Sequence, residues 1–232
     1  MTVAGDIRFL SHHDMMRTLV RIARRGQLAL RHPQGFNPHP VMSLPVPRSV
    51  GIASEDERLL LALDEPATPE ALLAALNGAT IAGIAFVAAA EISKGQCNVP
   101  RAVSYRLGFD SAEASAVSTA LAELDTREQW PVERAMKTKR NKRRVLAEKR
   151  TKTVDLRPRV QHIALEGTTL RLTLAPVDGS WARLGEIATL LGQDKAAAVA
   201  RITRTHIEDD FPASEFARGA TNIPSTSSTV TE

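Results

Sequence analysis

Cysteine is almost missing from this chain: Cys97 is the only one in 232 residues. A single thiol excludes an internal disulfide, and it excludes any zinc or iron–sulfur site ligated by cysteines of this chain alone. Aromatic residues are scarce, at 4 %, which argues against a surface built mainly from stacking platforms. No apolar run reaches the roughly 18 residues that a membrane-spanning helix needs. The opening Met1-Thr2-Val3-Ala4-Gly5-Asp6 has neither the basic nor the apolar region of a signal peptide. The expectation is a soluble, cytoplasmic protein with no membrane partner. What the chain does have is 43 % hydrophobic residues, enough to bury a core in one large domain or two small ones.

Charge is concentrated. Between Arg134 and Lys152 stand ten Lys/Arg residues against one acid, Glu148, a net +9; with the whole chain formally +4, everything else sums to −5. The candidate phosphate ligands are Lys137, Lys139, Arg140, Lys142, Arg143, Arg144, Lys149, Arg150 and Lys152. A basic patch of this density on a mildly acidic body is the electrostatic footprint of a polyanion partner. It contains no aromatic residue, so it would grip backbone and not stack on bases. A solvated loop and a contact for an acidic protein are the two alternative readings.

Along the chain, Asp6–Leu10 reads as the end of a strand. Ser11 then caps a helix that runs to about Gly26, with Asp14 as capping-box acid and Gly26 in the C′ role. Met15, Leu19 and Ile22 form its core stripe, with Met16 and Ala23 beside them. His13, Arg17, Arg21 and Arg24 recur on the opposite face, and Arg25 follows. Pro33, Pro38 and Pro40 with Gly35 fix a rigid loop. Strands over Val41–Val46 and Glu57–Leu63, a helix capped by Thr68 and running through Asn77, and a strand over Gly83–Glu91 complete a β-α-β-β-α-β order. The second half repeats it: an alternating strand over Val103–Phe109, a helix from Ser111 to about Arg127, a short strand near Val132 that leads into the basic run, and a hairpin of His162–Leu165 and Leu170–Ala175. A helix over Trp181–Leu191 and a final strand over Ala198–Ile207 close the half. The fold class is α+β, two tandem ferredoxin-like halves with a basic insertion. The domains are expected at 1–94 and 101–210, joined near Gly95–Arg101, with a disordered Ser/Thr/Pro-rich tail over 211–232.

The polar residues of the first half invite chemistry. His12 beside a carboxylate has the make-up of a general acid or base, while Asp14 has a capping role and His12 and His39 are as well placed to bond or pack on neighbouring loops. His12, His13, Asp14, His32 and His39 together resemble a ligand set. Adjacent helical residues, however, point about 100° apart, so one metal cannot easily take both His12 and His13; no metal or other cofactor is expected. Phe36 is read as a plug into the core, the alternative being an exposed base-stacking residue. Trp130 and Trp181 are read as core.

The segment Arg8–Arg17, with Ser11, His12, Asp14 and Arg17 in it, is followed by Arg24-Arg25, by Gln34-Gly35-Phe36-Asn37-Pro38-His39-Pro40 and by Gly51–Glu55. Together these are similar to a bacterial family of unknown function, the radical-SAM-linked proteins. Asp155-Leu156-Arg157-Pro158 and Arg201–Thr205 look like its later signatures, so the likeness spans roughly residues 5–208. The resemblance implies a protein fused to, or encoded beside, a radical SAM enzyme. Members carry further residues before the first strand, so that strand is expected to be short here or the start to lie upstream. Such an enzyme needs three cysteines for its cluster; with one, this chain is expected to serve as the non-catalytic partner. The leading reading is an RNA-binding accessory subunit that presents RNA to that enzyme. Two other readings stand beside it. In a metal-independent endoribonuclease akin to CRISPR-transcript processing enzymes, His12 would move the proton and Arg17 would stabilise the phosphorane. In a pure protein–protein scaffold the basic run would meet an acidic surface.

Overall fold

The computed structural model of the protein describes residues 1–36, 38–92, 100–135 and 151–209, and the backbone of 217–218. In chain order the first elements are β1 (Thr2–Val3), α1 (His12–Arg25), β2 (Met42–Ser43), β3 (Ala53–Ser54), β4 (Leu60–Leu61), α2 (Pro69–Ala79), β5 (Ile84–Ala85) and β6 (Ala88–Ala89). There follow β7 (Ala102–Gly108), α3 (Ser111–Asp125), β8 (Pro131–Ala135), β9 (Thr151–Asp155), β10 (Val160–Glu166) and β11 (Thr169–Leu174). The last are α4 (Leu184–Leu190), α5 (Lys195–Arg201), β12 (Ile202–Glu208) and β13 (Ala217–Arg218). The class is α+β, and the strands pair mostly antiparallel. Two compact units form: residues 1–47, 57–98 and 210–232, and residues 48–56 and 99–209.

In the first unit β1 pairs antiparallel with β5, β2 with β4, and β6 with β13. Its core is the apolar stripe of α1 (Met15, Leu19, Ile22, Ala23) with Leu73, Leu76 and Ala79 of α2, plus Val3, Leu30, Ile84 and Phe86. The stripe follows the helical period, so the sequence places it correctly. Gly26 ends α1 for a different reason than expected. Its φ is −74°, and the left-handed position is the next residue, Gln27, at φ 57°. The glycine is needed for space: a Cβ there would stand 2.7 Å from the Ala75 carbonyl oxygen of α2.

In the second unit the strand order is β10-β11-β7-β12-β3, antiparallel except for β12 with β3. Leu170, Leu172 and Leu174 alternate into the core, as do Val103 and Leu107. Leu107 and the three leucines meet Val117 and Leu124 of α3, Ile187 and Leu191 around α4, Ala198 of α5, and Trp130. Trp130 is buried, and its indole N–H donates to the Leu124 carbonyl at 3.0 Å. Trp181 packs partly buried against the same core. The pair β8–β9 is a separate two-stranded hairpin, in register from Pro131↔Asp155 to Ala135↔Thr151. The residues that join its strands, 136–150, carry most of the basic run.

Several elements differ from the sequence reading. Asp6–Leu10 is not strand; Gly5–Phe9 is a 3-10 turn, preceded by the two-residue β1. The strands expected over 41–46, 57–63 and 83–91 contract to short pairs. The helix expected from Trp181 begins at Leu184. Ala198–Arg201 is the end of a helix and not strand, because Asp194 caps it by accepting from Ala197 N–H at 2.8 Å and the run Ala196-Ala197-Ala198 favours helix. In the expected tail, Ala217–Arg218 forms a strand against β6; the rest of 211–232 lies outside the described residues, as does most of the expected joint, at 93–99. Among the described residues no helix is long and apolar enough to cross a membrane.

Candidate nucleic-acid interface

Helix α1 starts at a true cap. Ser11 Oγ accepts from Asp14 N–H at 3.2 Å and donates to Asp14 Oδ2 at 2.7 Å. Asp14 is therefore held by the cap, and it also stands 3.6 Å from Arg17. His12 and His13 are exposed. His12 and Arg17 are five residues apart on a helix and so point about 140° apart, which does not aim both at one phosphate. Among the described residues no group of three His, Cys, Asp or Glu side chains converges on a point.

Arg17, Arg21, Arg24 and Arg25 are all exposed, opposite the buried Met15, Leu19 and Ile22. With His13 they lie within an arc of about 120°. Elsewhere the arginines are mostly engaged: Arg106 with Glu55, Arg171 with Glu166, Arg127 with Glu123, Arg31 with Asp64. Arg21, Arg24 and Arg25 have no carboxylate partner among the described residues. The helix thus presents cationic groups that nothing described in the fold neutralises.

The basic run divides. Its first member, Arg134, is no phosphate ligand. It lies in β8 on the inward side, its Nε donating to Glu186 Oε1 at 2.9 Å and its Nη2 to Glu186 Oε2 at 2.7 Å. Nη1 reaches Ser180 Oγ and Nη2 also the Trp181 carbonyl, both at 3.1 Å. The pair is 8 % and 12 % exposed. Burial pushes the Glu186 carboxyl up, but the bonds from the Arg134 guanidinium and the Arg183 N–H outweigh it and hold the group below the ordinary carboxylate range. The same partner raises Arg134. This ion pair ties the hairpin to the turn before α4. Lys152, at the other root, is exposed. Lys137, Lys139, Arg140, Lys142, Arg143, Arg144, Lys149 and Arg150 lie outside the described residues.

The later signatures are structural. Asp155 Oδ1 accepts from the N–H of Trp130 at 2.8 Å and of Arg157 at 3.1 Å, which fixes the turn around the buried Leu156. Arg157 donates to the Arg127 carbonyl. Arg201 makes a two-pronged pair with Glu113 at 2.6 and 3.0 Å, which lowers the pKa of that carboxyl; Glu113 also closes the capping box of α3.

The proline loop overturns one expectation. Phe36 is no plug: its side chain is fully exposed, because the loop points it away from any core wall. Gly35, Pro38 and His39 are exposed with it, and Asn37 lies outside the described residues. Sequence reasoning missed the Arg134–Glu186 pair. The signal was the period of two in β8, which puts Arg134 on the same side as Val132. It also missed a groove of about 790 Å³ at the foot of the loop, bordered by Arg31, Val41, Leu60, Asp64, Leu72 and Ile92; no motif marks it.

Comparison with curated proteins and with solved structures returns no match. A family profile covers residues 1–184, taking in α1, the proline loop, the hairpin and the Asp155–Arg157 turn, and it is described as an uncharacterized protein conserved in bacteria. The chain belongs to that bacterial family, DUF2344.

Proposed function

We propose that this protein is an RNA-binding accessory subunit that presents RNA to a separate radical SAM enzyme. The observation that carries RNA binding is the exposed arginine face of α1, whose Arg21, Arg24 and Arg25 have no acid partner among the described residues while most other described arginines are paired. Cations left unneutralised along one helix face favour the phosphate backbone, and each phosphate they bind releases counterions. The basic run supports the same reading, since its residues 136–150 join the two strands of one anchored hairpin. The radical SAM partner rests on the resemblance of the Arg8–Arg17 and Gln34–Pro40 segments. The two units are read as two ferredoxin-like halves, the second with the β8–β9 hairpin inserted after its first helix.

The test is affinity for single-stranded RNA as a function of salt. Replacing Lys139, Arg140, Lys142, Arg143 and Arg144 with alanine is expected to flatten the slope of log affinity against log salt by roughly 0.7 per lost phosphate contact. Affinity and slope equal to those of the unaltered protein would remove the basic run from the binding surface.

A further inference from the structure

We propose that Phe36 is a base-stacking residue that takes an unpaired base of single-stranded RNA; this deepens the RNA-binding reading and rests on it. The loop that carries Phe36 is an excursion from a strand. Before it, Arg31 N–H donates to the Ala62 carbonyl and Asp64 N–H to the Ala29 carbonyl, both at 2.8 Å, with Leu30 bridged to Leu63. After it, Ala62 N–H donates to the Val41 carbonyl at 3.0 Å, and Met42 and Ser43 pair with Leu61 and Leu60. The same strand therefore receives both flanks. Val41 N–H donates to the Arg31 carbonyl at 2.8 Å and closes the neck. The Arg31 side chain bolts that neck to Asp64 at 3.2 Å and to the Leu63 carbonyl at 3.0 Å. The chain leaves the sheet after Arg31 and rejoins it at Val41, as an Ω-like loop does, and such loops often carry function.

Pro33, Pro38 and Pro40 fix their φ angles and remove much of the freedom such a loop would otherwise lose on binding. At its centre Phe36 gives up the burial that a phenyl group normally gains on folding. Among the described residues it is the one aromatic side chain that is fully exposed. Phe9, half exposed, is already covered by the Arg8 guanidinium at 4.8 Å from its ring centroid. The described neighbours His32, Gln34 and His39 are exposed polar groups, and the loop has no carboxylate to repel a polyanion. A phenyl ring has no hydrogen-bonding handle, so it cannot read base edges. It offers a π-face, which every base can stack on. Bases in a duplex are already stacked on each other, and only unpaired ones can be splayed onto a protruding ring.

The experiment measures anisotropy of a short fluorescein-labelled oligoadenylate, alone and annealed to oligouridylate, with the unaltered protein and with Phe36→Ala, Phe36→Leu and Phe36→Trp. Phe36→Ala and Phe36→Leu should weaken single-strand binding by roughly 5- to 150-fold, the range set by losing one stacked base. Phe36→Trp should retain it. Duplex affinity, the salt slope and the melting temperature should not move, because the side chain touches neither the phosphates nor the core. If Phe36→Leu binds like the unaltered protein while Phe36→Ala does not, the contact is apolar and not stacking, and the proposal is overturned. If Phe36→Ala binds the single strand with unchanged, salt-dependent affinity, stacking is overturned while RNA binding stands. If the unaltered protein binds neither probe at low salt, the RNA-binding reading falls and takes the stacking site with it.

Discussion

Replacing Arg134 with methionine is expected to destabilise the protein by about 3–5 kcal/mol, the cost of leaving a buried charge without its partner. Glu186 is 12 % exposed and takes two bonds from Arg134, and the same guanidinium holds Ser180 Oγ and the Trp181 carbonyl. Methionine keeps the apolar stem and removes all four bonds. The carboxylate would keep only its bond from Arg183 N–H at 2.9 Å and its contact with the exposed Arg183 guanidinium. Adding Glu186→Gln to Arg134→Met should recover much of the loss, since a neutral amide needs no counter-charge; denaturant unfolding of the two single variants and the double one measures the coupling.

The pH dependence fixes the sign. In the unaltered protein the Glu186 carboxyl is held below its unfolded value. Its contribution is therefore complete above the unfolded pKa of about 4.3 and is lost as pH falls through the folded value. In Arg134→Met the guanidinium bonds that hold the carboxyl there are gone, so that part of the pH-dependent contribution is absent from the variant. The stability gap between the two proteins should narrow on going from neutral pH towards pH ~4 and below. A gap under about 1 kcal/mol, or one that does not change with pH, would mean the pair is screened and tolerant, as exposed pairs are.

The ion pair also marks where the sequence stops being legible. Charge counting treats Arg134 as one more cation of the basic run, and nothing in a count separates a buried arginine from a solvated one. The periodicity of β8 does separate them, but only once the strand is known to have an inward side. The elements read well were those whose pattern is local. The α1 stripe, the alternation of Leu170, Leu172 and Leu174, and the caps at Ser11 and Thr68 all depend on neighbours within a few residues. The elements read badly depend on distant partners or on weak contrasts. Phe36 looked like core because an aromatic side chain usually gains burial, whereas its exposure follows from a neck formed by residues 31, 41 and 62. Ala198–Arg201 carries little apolar contrast, and propensity with the Asp194 cap decided for helix. Of the candidate interface, the arginine face was legible from spacing. That Arg21, Arg24 and Arg25 lack acid partners was not, since ion pairs such as Arg201–Glu113 and Arg106–Glu55 join residues far apart in the chain.

The two faces of α1 make opposite predictions. Leu19 is buried among Met15, Ile22 and the apolar side chains of α2. Leu19→Ala is expected to destabilise the protein by about 2–5 kcal/mol through lost burial and the cavity left behind. Arg21→Ala with Arg24→Ala should change stability by less than about 0.5 kcal/mol, because both side chains are exposed and unpaired among the described residues. The arginine pair should instead weaken RNA binding and reduce its salt dependence, in proportion to the phosphate contacts removed. Leu19→Ala, compared at a temperature where it is still folded, should bind RNA as the unaltered protein does. Thermal melts and binding isotherms on the same samples give both readings. If the double arginine variant unfolds as readily as Leu19→Ala, those arginines hold structure and the face is not for recognition. If it is stable and binds normally, α1 is merely solvated there, and phosphate contact falls to the basic run alone.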